Sequence, residues 1–328
     1  MLGKPMKSIF IVGAGQLGSR HLQALKAVKS PLDITVIDPS ALSLKIAQER
    51  YEGIAGEKTH RVRYLCEIPR SFDAVDIAII PSTSNVRREI IEGILSRGHV
   101  QNMILEKLLF NHRDDYFRVN DLLESKAVKT WVNCSMRTMP FYAGLKSLFQ
   151  GSQFFYTVTG SQFGLITNAV HYIDHMAYLS GELSYQLDSS LLDYPPIASK
   201  RQGFLELNGT LSVKFTNGCT GTFTCFREGA SPVMVAIASP DVLVMSKEWE
   251  GKALISKKSE NWKWNEVDSP IPYQSQMTSD VVTSILTKGT CNLVEYDDSL
   301  KIHLTLLEGL QHFLNGKSEN KYDLFPFT

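Results

Sequence analysis

Three glycines near the start of the sequence constrain what the chain can fold into more than any other feature. Gly13, Gly15 and Gly18 follow a short apolar run at residues 8–12 and precede apolar residues at helical spacing. In such a strand–turn–helix the first glycine permits a tight turn, and the second lets a pyrophosphate approach the backbone. The third lets the helix pack closely on the strand. Because the helix also directs its free N–H groups and its dipole at the same place, the pattern predicts a dinucleotide-binding site.

Asp38 ends the next apolar run, residues 34–37. It lies about twenty residues beyond the glycines, where a carboxylate hydrogen-bonds the ribose hydroxyls of the adenosine. Such a carboxylate repels a 2′-phosphate, and no arginine follows it in Pro39 or Ser40, so the sequence favours NAD(H) over NADP(H). The residues expected to contact the coenzyme in this stretch are Gly13, Gly15, Gln16, Leu17, Gly18 and Asp38.

Length and composition limit the class of protein. A chain of 328 residues exceeds what one hydrophobic core usually holds, so two domains are expected. Lysine plus arginine and aspartate plus glutamate both number 34, so no strong field attracts nucleic acid or an anionic membrane. No apolar stretch is long enough to span a membrane, and the first strand begins too early to leave room for a signal peptide. The 5 cysteines show no C-x-x-C spacing, which favours reduced thiols in the cytoplasm and no metal site.

Strands and helices alternate in the first part of the chain. Apolar runs at residues 75–80 and 101–105 predict buried strands, and helical patterns at residues 41–51 and 87–95 separate them. This alternation predicts an α/β fold, a Rossmann-type doubly wound parallel sheet, over residues 1–128. The loop after residues 75–80 lies at the carboxyl edge where such sheets bind ligands, and its expected coenzyme contacts are Pro81, Ser82, Thr83 and Asn85.

The pattern changes over residues 129–328. Alternating segments at residues 211–215 and 220–226 flank Asn217-Gly218, a strong hairpin signal, and further short strands follow. They predict a C-terminal α+β domain with a largely antiparallel sheet. One face of that sheet would stay open, so a homodimer or homotetramer through it is expected. The helices expected to cover the sheet lie at residues 168–179, 276–288 and 297–314.

Glu106-Lys107 directly follows the buried strand at residues 101–105, on the ligand side of the sheet. The pair is interpreted in two ways. It is either a solvated charge pair at a strand end, or a coenzyme-contacting pair whose lysine has a pKa lowered by partial burial. In the second case Lys107 exchanges a proton with a substrate hydroxyl beside the nicotinamide. Spacing alone leaves both alternatives open.

The glycine motif, Asp38, the Pro81 loop and Glu106-Lys107 together resemble the family of glucose–fructose oxidoreductase and inositol dehydrogenase, often called Gfo/Idh/MocA. The resemblance covers essentially the whole chain and implies hydride transfer between NAD(P) and a ring hydroxyl or ketone of a sugar, cyclitol or nucleotide sugar. It implies that Lys107 is the general acid and base, that His171 assists, and that Arg137 faces the substrate. The matching segments of the second domain are Arg137-Thr138-Met139-Pro140 and Val170-His171-Tyr172-Ile173-Asp174.

Four departures from the family pattern bear on function. Leu108 stands where proline usually follows the lysine, and Asn85 stands where a histidine is common. Thr167 replaces the carboxylate one helical turn before His171, and a hydroxyl cannot stabilise an imidazolium charge as a carboxylate does. The fourth departure is a short connection at residues 160–164 in place of a longer substrate loop. The residues predicted to bind substrate, including two that would partly substitute for the missing carboxylate, are Arg137, Thr167, Asn168 and Asp174.

Several alternatives remain at the second domain. His171 is also explained as an ordinary helix histidine, and Arg137 as an interdomain salt bridge. His171 and His175 share a helix face, as zinc ligands do, but no third ligand is evident and no metal is predicted. The leading function is an NAD(P)-dependent oxidoreductase. The alternatives are a non-catalytic NAD- and sugar-binding sensor or scaffold, and an enzyme that recycles its bound NAD during elimination or glycoside cleavage.

Overall fold

The structure is a computed structural model that describes residues 6–57 and 59–328. The strands are β1 (Lys7–Val12), β2 (Leu32–Ile37), β3 (Arg61–Leu65), β4 (Ala74–Ile80), β5 (His99–Leu105), β6 (Lys129–Val132), β7 (Phe155–Ser161), β8 (Tyr185–Asp188), β9 (Ile197–Ala198), β10 (Leu205–Glu206), β11 (Gly209–Phe215), β12 (Thr220–Phe226), β13 (Met234–Ala238), β14 (Val242–Lys247), β15 (Lys252–Lys257), β16 (Trp264–Asp268) and β17 (Val294–Glu295). The α-helices are α1 (Gln16–Leu25), α2 (Ala41–Glu52), α3 (Arg87–Leu95), α4 (Arg113–Ser125), α5 (Pro140–Gly144), α6 (Lys146–Phe149), α7 (Leu165–Ser180), α8 (Gln274–Lys288) and α9 (Tyr296–Lys317). Short 3₁₀ helices lie at Ser135–Thr138, Glu248–Glu250 and Lys258–Glu260.

The described residues divide into two units. Unit 1 contains the residues up to 110, 114–133 and 272–296, and unit 2 contains 111–113, 134–271 and 297–328. Unit 1 is built on a seven-stranded sheet of order β17-β6-β5-β4-β1-β2-β3. Its strands pair in parallel, except that β17 joins β6 antiparallel. The central strands are apolar on both faces because helices cover both, and the Rossmann prediction is confirmed.

Helix α8 belongs to unit 1. Val282 and Ile285 on its buried face join the core that contains Leu22 and Leu25 of α1. The expectation that this helix covers the antiparallel sheet is therefore wrong. The sequence of α8 shows that one face is apolar, but it does not show which of the two sheets that face packs near. The tertiary fold decides this.

Unit 2 is built on an eight-stranded sheet of order β16-β15-β14-β13-β7-β12-β11-β8. The sheet is antiparallel apart from the β7–β12 pair, and the Asn217-Gly218 hairpin joins β11 to β12 as predicted. Helix α7 lies so close to this sheet that a Cβ at Gly221 would be 2.6 Å from the sulfur of Met176. Helix α9 covers β8, where the Tyr185 hydroxyl donates to the carbonyl oxygen of Ile302 at 2.6 Å. The predicted fold class is confirmed for both units. Among the described residues, no helix has the length and apolarity needed to cross a membrane.

Candidate functional site

The three glycines form the turn between β1 and α1, and each has its own steric role. Gly13 has a φ of +121°, which L side chains rarely adopt. A Cβ at Gly18 would lie 1.7 Å from the carbonyl oxygen of Gly13, so only glycine lets the helix approach the turn. A Cβ at Gly15 would meet no described atom within 4 Å, so this residue borders open space. No described side chain caps the N-terminus of α1 at Gly15, which leaves its N–H groups for an anion.

Asp38 directly follows β2, and the backbone holds both of its carboxylate oxygens. The Ala14 N–H donates to one oxygen at 2.7 Å, and the Ser40 N–H donates to the other at 2.8 Å. The carboxylate is half-buried beside the glycine turn. Next to it, Gln16 is exposed and accepts a hydrogen bond from Arg50 at 3.0 Å, while Leu17 is half-buried. The open space at Gly15 and the fixed carboxylate at Asp38 fit the pyrophosphate and ribose of a dinucleotide.

The loop after β4 packs on the glycine turn. A Cβ at Gly13 would lie 3.5 Å from the Ser82 nitrogen and 3.6 Å from Pro81. Within the loop, the Thr83 hydroxyl donates to the side-chain oxygen of Asn85 at 2.7 Å. The predicted coenzyme residues of β1, β2 and β4 thus lie at one edge of the sheet.

Arg87 is a residue of this edge that sequence reasoning missed. It is fully buried at the start of α3, and its guanidinium donates to the main-chain oxygens of Ser82, Leu108 and Leu109. It therefore ties the loop after β4 to the segment that follows Lys107. An arginine at the start of an amphipathic helix looks like a surface residue in sequence, so no signal pointed to it.

Glu106 and Lys107 are both buried, with 4% and 7% of their surfaces exposed. The alternative of a solvated charge pair therefore does not hold. Burial alone raises the pKa of a carboxyl, but hydrogen bonds from His21 and Asn133 and the nearby charge of Lys107 outweigh it, so the pKa of Glu106 is lowered. The peptide bond between Lys107 and Leu108 is cis.

Glu106 and four other buried or half-buried side chains form a closed ring of hydrogen bonds, here called the Glu106 ring. His21 Nε2 lies 3.0 Å from Glu106 Oε1, and His21 Nδ1 lies 2.8 Å from the Thr278 hydroxyl. Gln274 Nε2 donates to that hydroxyl at 2.9 Å. Asn133 Nδ2 closes the ring by donating to Gln274 Oε1 at 3.0 Å and to Glu106 Oε1 at 2.5 Å. The ring joins α1, β5, the end of β6 and α8, so α8 helps to hold the residue next to Lys107.

In unit 2 four of the predicted residues lie on α7, which is longer than predicted, and Arg137 lies in the 3₁₀ helix at Ser135–Thr138. The helix begins after Gly164 and ends before Gly181, both with positive φ. His171 is half-buried and lines a cavity of about 210 Å³. The other residues that line this cavity are Ser135, Met136, Met139, Asn168, Tyr172, Glu248 and Ile271. Glu248 accepts a hydrogen bond from the Tyr142 hydroxyl at 2.5 Å, and burial raises the pKa of its carboxyl.

A carboxylate does lie beside Thr167, but it comes from β10. Glu206 is buried, and its Oε2 accepts hydrogen bonds from the Thr167 hydroxyl at 2.9 Å and the Thr167 N–H at 3.2 Å. Its Oε1 accepts from the N–H groups of Ile166 at 2.7 Å and Leu207 at 3.0 Å. Glu206 thus caps the N-terminus of α7, where the helix dipole favours a negative charge. Sequence reasoning missed it because β10 lies far from α7 along the chain.

Arg137 and Asp174 bind each other within unit 2. Arg137 Nε donates to Asp174 Oδ2 at 2.9 Å, and Asp174 is fully buried. Burial raises the pKa of Asp174 to about 6, against the opposing effect of the Arg137 charge. Neither residue is among those that line the 210 Å³ cavity. Their roles in substrate binding stay predictions.

His175 is a satisfied core histidine. Its Nε2 lies 3.1 Å from the carbonyl oxygen of Tyr142, and its Nδ1 lies 3.1 Å from the Tyr156 hydroxyl. Burial lowers its pKa to about 4, so the ring is neutral at pH 7. Because both ring nitrogens have protein partners, His175 is not available as a zinc ligand. Within residues 6–57 and 59–328, no group of three His, Cys, Asp or Glu side chains is placed to hold a metal ion.

The fold and the site at the edge of unit 1 are those of a dinucleotide-binding Rossmann unit. Residues 7–134 match the family described as "Oxidoreductase family, NAD-binding Rossmann fold", Gfo/Idh/MocA. This match covers the part of the chain that forms the glycine turn and strands β1 to β6. No curated protein matches the chain.

Solved structures share the fold at low identity. An oxidoreductase from Agrobacterium radiobacter, in complex with NAD+, L-tartaric acid and magnesium, is 14% identical with a TM-score of 0.70 over 95% of this chain and 97% of that one. UDP-N-acetylglucosamine 3-dehydrogenase from Acidithiobacillus ferrooxidans is 11% identical with a TM-score of 0.68, over 93% and 97%. A 3-ketoreductase from Actinomadura kijaniata, with TDP-benzene and NADP, is 14% identical with a TM-score of 0.64, over 92% and 96%.

Proposed function

We propose that the chain transfers hydride between NAD(H) and a ring hydroxyl or ketone of a sugar, cyclitol or nucleotide sugar. The observation that carries this proposal is the buried Glu106-Lys107 pair at the same sheet edge as the glycine turn and Asp38. Two of the solved structures with this fold are described as acting on, or binding, nucleotide-linked compounds, which supports a sugar-like substrate.

The residues proposed to hold the dinucleotide are those at the edge of unit 1. The N–H groups at the start of α1 would hold the pyrophosphate in the open space at Gly15, and Asp38 would bind the ribose. The Pro81 loop packs on the glycine turn. When bound, the coenzyme supplies or accepts the hydride.

Lys107 is proposed as the general acid and base. Its burial removes water from the ammonium group and favours proton exchange with a substrate hydroxyl. Glu106 is held ionised by the Glu106 ring and keeps a fixed negative charge next to the lysine. In unit 2, His171 and Asn168 line a cavity and are proposed to bind substrate hydroxyls. Thr167 lies on the same helix, and its hydroxyl donates a hydrogen bond to the Glu206 carboxylate.

NAD(H) is proposed as the preferred coenzyme. Main-chain N–H groups hold both oxygens of Asp38, and a carboxylate at this place would repel a 2′-phosphate. Some structures with this fold were solved with NAD and others with NADP, so the fold itself does not select between the two.

The 5 cysteines, all free thiols in the structure, support a reducing compartment such as the cytoplasm.

The first test is a titration of purified protein with NADH and NADPH, followed by fluorescence, and then a panel of keto-sugars, inositols and nucleotide sugars. We expect tighter binding of NADH and substrate-dependent loss of its signal. Lys107→Ala should lower kcat by about two to four orders of magnitude and leave NADH binding nearly unchanged. Lys126→Ala, which changes an exposed lysine after α4, is the matched control. Full turnover by Lys107→Ala would overturn the assignment.

The second candidate function is a sensor or scaffold that binds NAD and a sugar without turnover. The observation that favours a sensor is the threonine at position 167, because a hydroxyl cannot stabilise an imidazolium charge as a carboxylate does. The Glu206 carboxylate on Thr167 weakens that argument. NADH binding with no hydride exchange in either direction across the panel would favour the sensor.

A further inference from the structure

A larger cavity lies in unit 2 around the N-terminal end of α7. It has a volume of about 400 Å³, which is in the range of cavities that bind small molecules. Asn168 lines both this cavity and the smaller one that contains His171. The two cavities therefore adjoin each other at Asn168.

Positively charged side chains outnumber the one acidic side chain in the lining of this cavity. Lys200, Arg201 and Arg227 all line it, and none of them forms an ion pair with a residue of the described ranges. The carboxylate of Glu206 also lines the cavity, but its oxygens already accept hydrogen bonds from three N–H groups and the Thr167 hydroxyl. Unpaired arginine and lysine side chains around one cavity are the groups that bind phosphate oxygens best.

The remaining lining includes an apolar wall and three side-chain amides, those of Gln162, Asn168 and Asn208. Phe163, Ile197 and Ala198 form the apolar wall. Asn208 is 4% exposed, and its side chain forms no hydrogen bond to any residue that the structure describes. Because Asn208 lines the cavity, its amide can hydrogen-bond a ligand there. The cavity thus has cationic side chains that can bind the phosphates of a ligand, an amide that can hydrogen-bond its polar groups, and an apolar surface on which a ring of the ligand can pack.

We propose that this cavity binds the phosphate-bearing arm of the substrate, and that the substrate is a phosphorylated or nucleoside-diphosphate sugar whose reacting ring lies in the cavity beside His171. This inference rests on the proposed function and specifies its substrate class. Arg227, Arg201 and Lys200 bind the phosphate oxygens, and Asn208 hydrogen-bonds the attached group. The apolar wall and the volume favour the nucleoside diphosphate over a simple sugar phosphate.

The test is calorimetric titration with phosphate compounds that cannot react. Uridine diphosphate, thymidine diphosphate, inorganic pyrophosphate and glucose 1-phosphate are titrated into the protein, with saturating NADH to occupy the dinucleotide site and again without NADH. We expect a nucleoside diphosphate to bind more tightly than pyrophosphate or glucose 1-phosphate. Tightest binding of glucose 1-phosphate would overturn the nucleotide part of the inference.

Arg227→Gln provides the decisive variant because Arg227 is exposed and its loss leaves the core intact. It should weaken diphosphate binding about tenfold and leave NADH binding unchanged. Arg61→Gln, at the start of β3, is the matched control and should bind as the wild type does. Normal NADH binding with no heat from any phosphate compound, or equal affinities for wild type and Arg227→Gln, would overturn the cavity assignment alone. Failure of NADH binding would instead overturn the proposed function.

Discussion

Burial acts in opposite directions on two neighbouring side chains of α7. His175 and Asp174 are both fully buried. Because burial disfavours the charged form, it lowers the pKa of His175 to about 4 and raises the pKa of Asp174 to about 6. Arg137 opposes the shift at Asp174, and the charge of Asp298 adds to it. The same physical cause thus leaves the histidine neutral and the carboxyl partly protonated in mildly acid solution.

These shifts predict opposing effects of pH on stability. Between pH 6.5 and about 4 the unfolded chain protonates His175 and the folded chain does not, so the free energy of unfolding falls as pH falls. Between about pH 6 and 3.8 the folded chain keeps a proton on Asp174 that the unfolded chain releases, so the free energy of unfolding rises as pH falls. In the wild type the two contributions largely cancel.

His175→Gln should expose the contribution of Asp174. Relative to the wild type, its free energy of unfolding should rise as pH falls from 6.5 to 4.5, by up to about 1.4 kcal/mol per pH unit. Urea denaturation across this range measures the slope. His312→Gln, which changes an exposed histidine on α9, should keep the wild-type slope. Equal slopes for His175→Gln and the wild type would show that the pKa of His175 is not lowered by folding.

At the scale of elements, the N-terminus of α7 depends on a residue of another strand. Glu206→Gln keeps the size of the side chain but removes the charge that faces the N–H groups of Ile166 and Thr167. The free energy of unfolding should fall by about 1–3 kcal/mol because charge-assisted hydrogen bonds and the charge–dipole attraction are lost. The KM for substrate should rise as well, since Thr167 and Asn168 lie on the same turn. Glu319→Gln on the surface is the control, and unchanged stability of Glu206→Gln would contradict the capping role.

The Glu106 ring makes α8 part of the coenzyme-binding unit. Thr278→Val keeps the shape of the side chain and removes the hydroxyl that lies between His21 and Gln274. Two buried polar groups then lose a partner, which should lower the free energy of unfolding by about 1–3 kcal/mol. Thr283→Val changes an exposed threonine of the same helix and should alter stability little. If both variants unfold at the same urea concentration, the ring does not stabilise the fold.

The candidate site shows which features the sequence can predict and which it cannot. The glycine turn and Asp38 could be predicted because their roles depend on local backbone geometry within one β-α-β unit. Glu106-Lys107 could be located at a strand end, but its burial depends on His21, Asn133 and α8, which lie far apart along the chain. Glu206 could not be predicted from the α7 sequence because a capping carboxylate can come from any element nearby. Long-range pairing, more than local propensity, determines the polar part of this site.

At the scale of the whole molecule, the unit 2 sheet presents a face that α7 does not cover. The sheet register aligns Thr222, Thr157, Ala236 and Met245 across its centre, where the alternate residues of each strand are buried. Phe155, also on this face, is 60% exposed. A broad face of small and apolar side chains suits packing against a second copy about a two-fold axis. We therefore propose a homodimer or homotetramer formed through this face.

Ala236→Arg places a long cation at the centre of this face and leaves the covered face unchanged. If two copies pack there, the arginines meet near the two-fold axis, and like charges without partners oppose association. The wild type should sediment as a dimer or tetramer, and Ala236→Arg should sediment as a smaller species with an unchanged circular dichroism spectrum. Ser147→Arg, at an exposed position of α6, should keep the wild-type mass. A monomeric wild type, or an Ala236→Arg variant with the wild-type mass, would show that the open face is not the site of assembly.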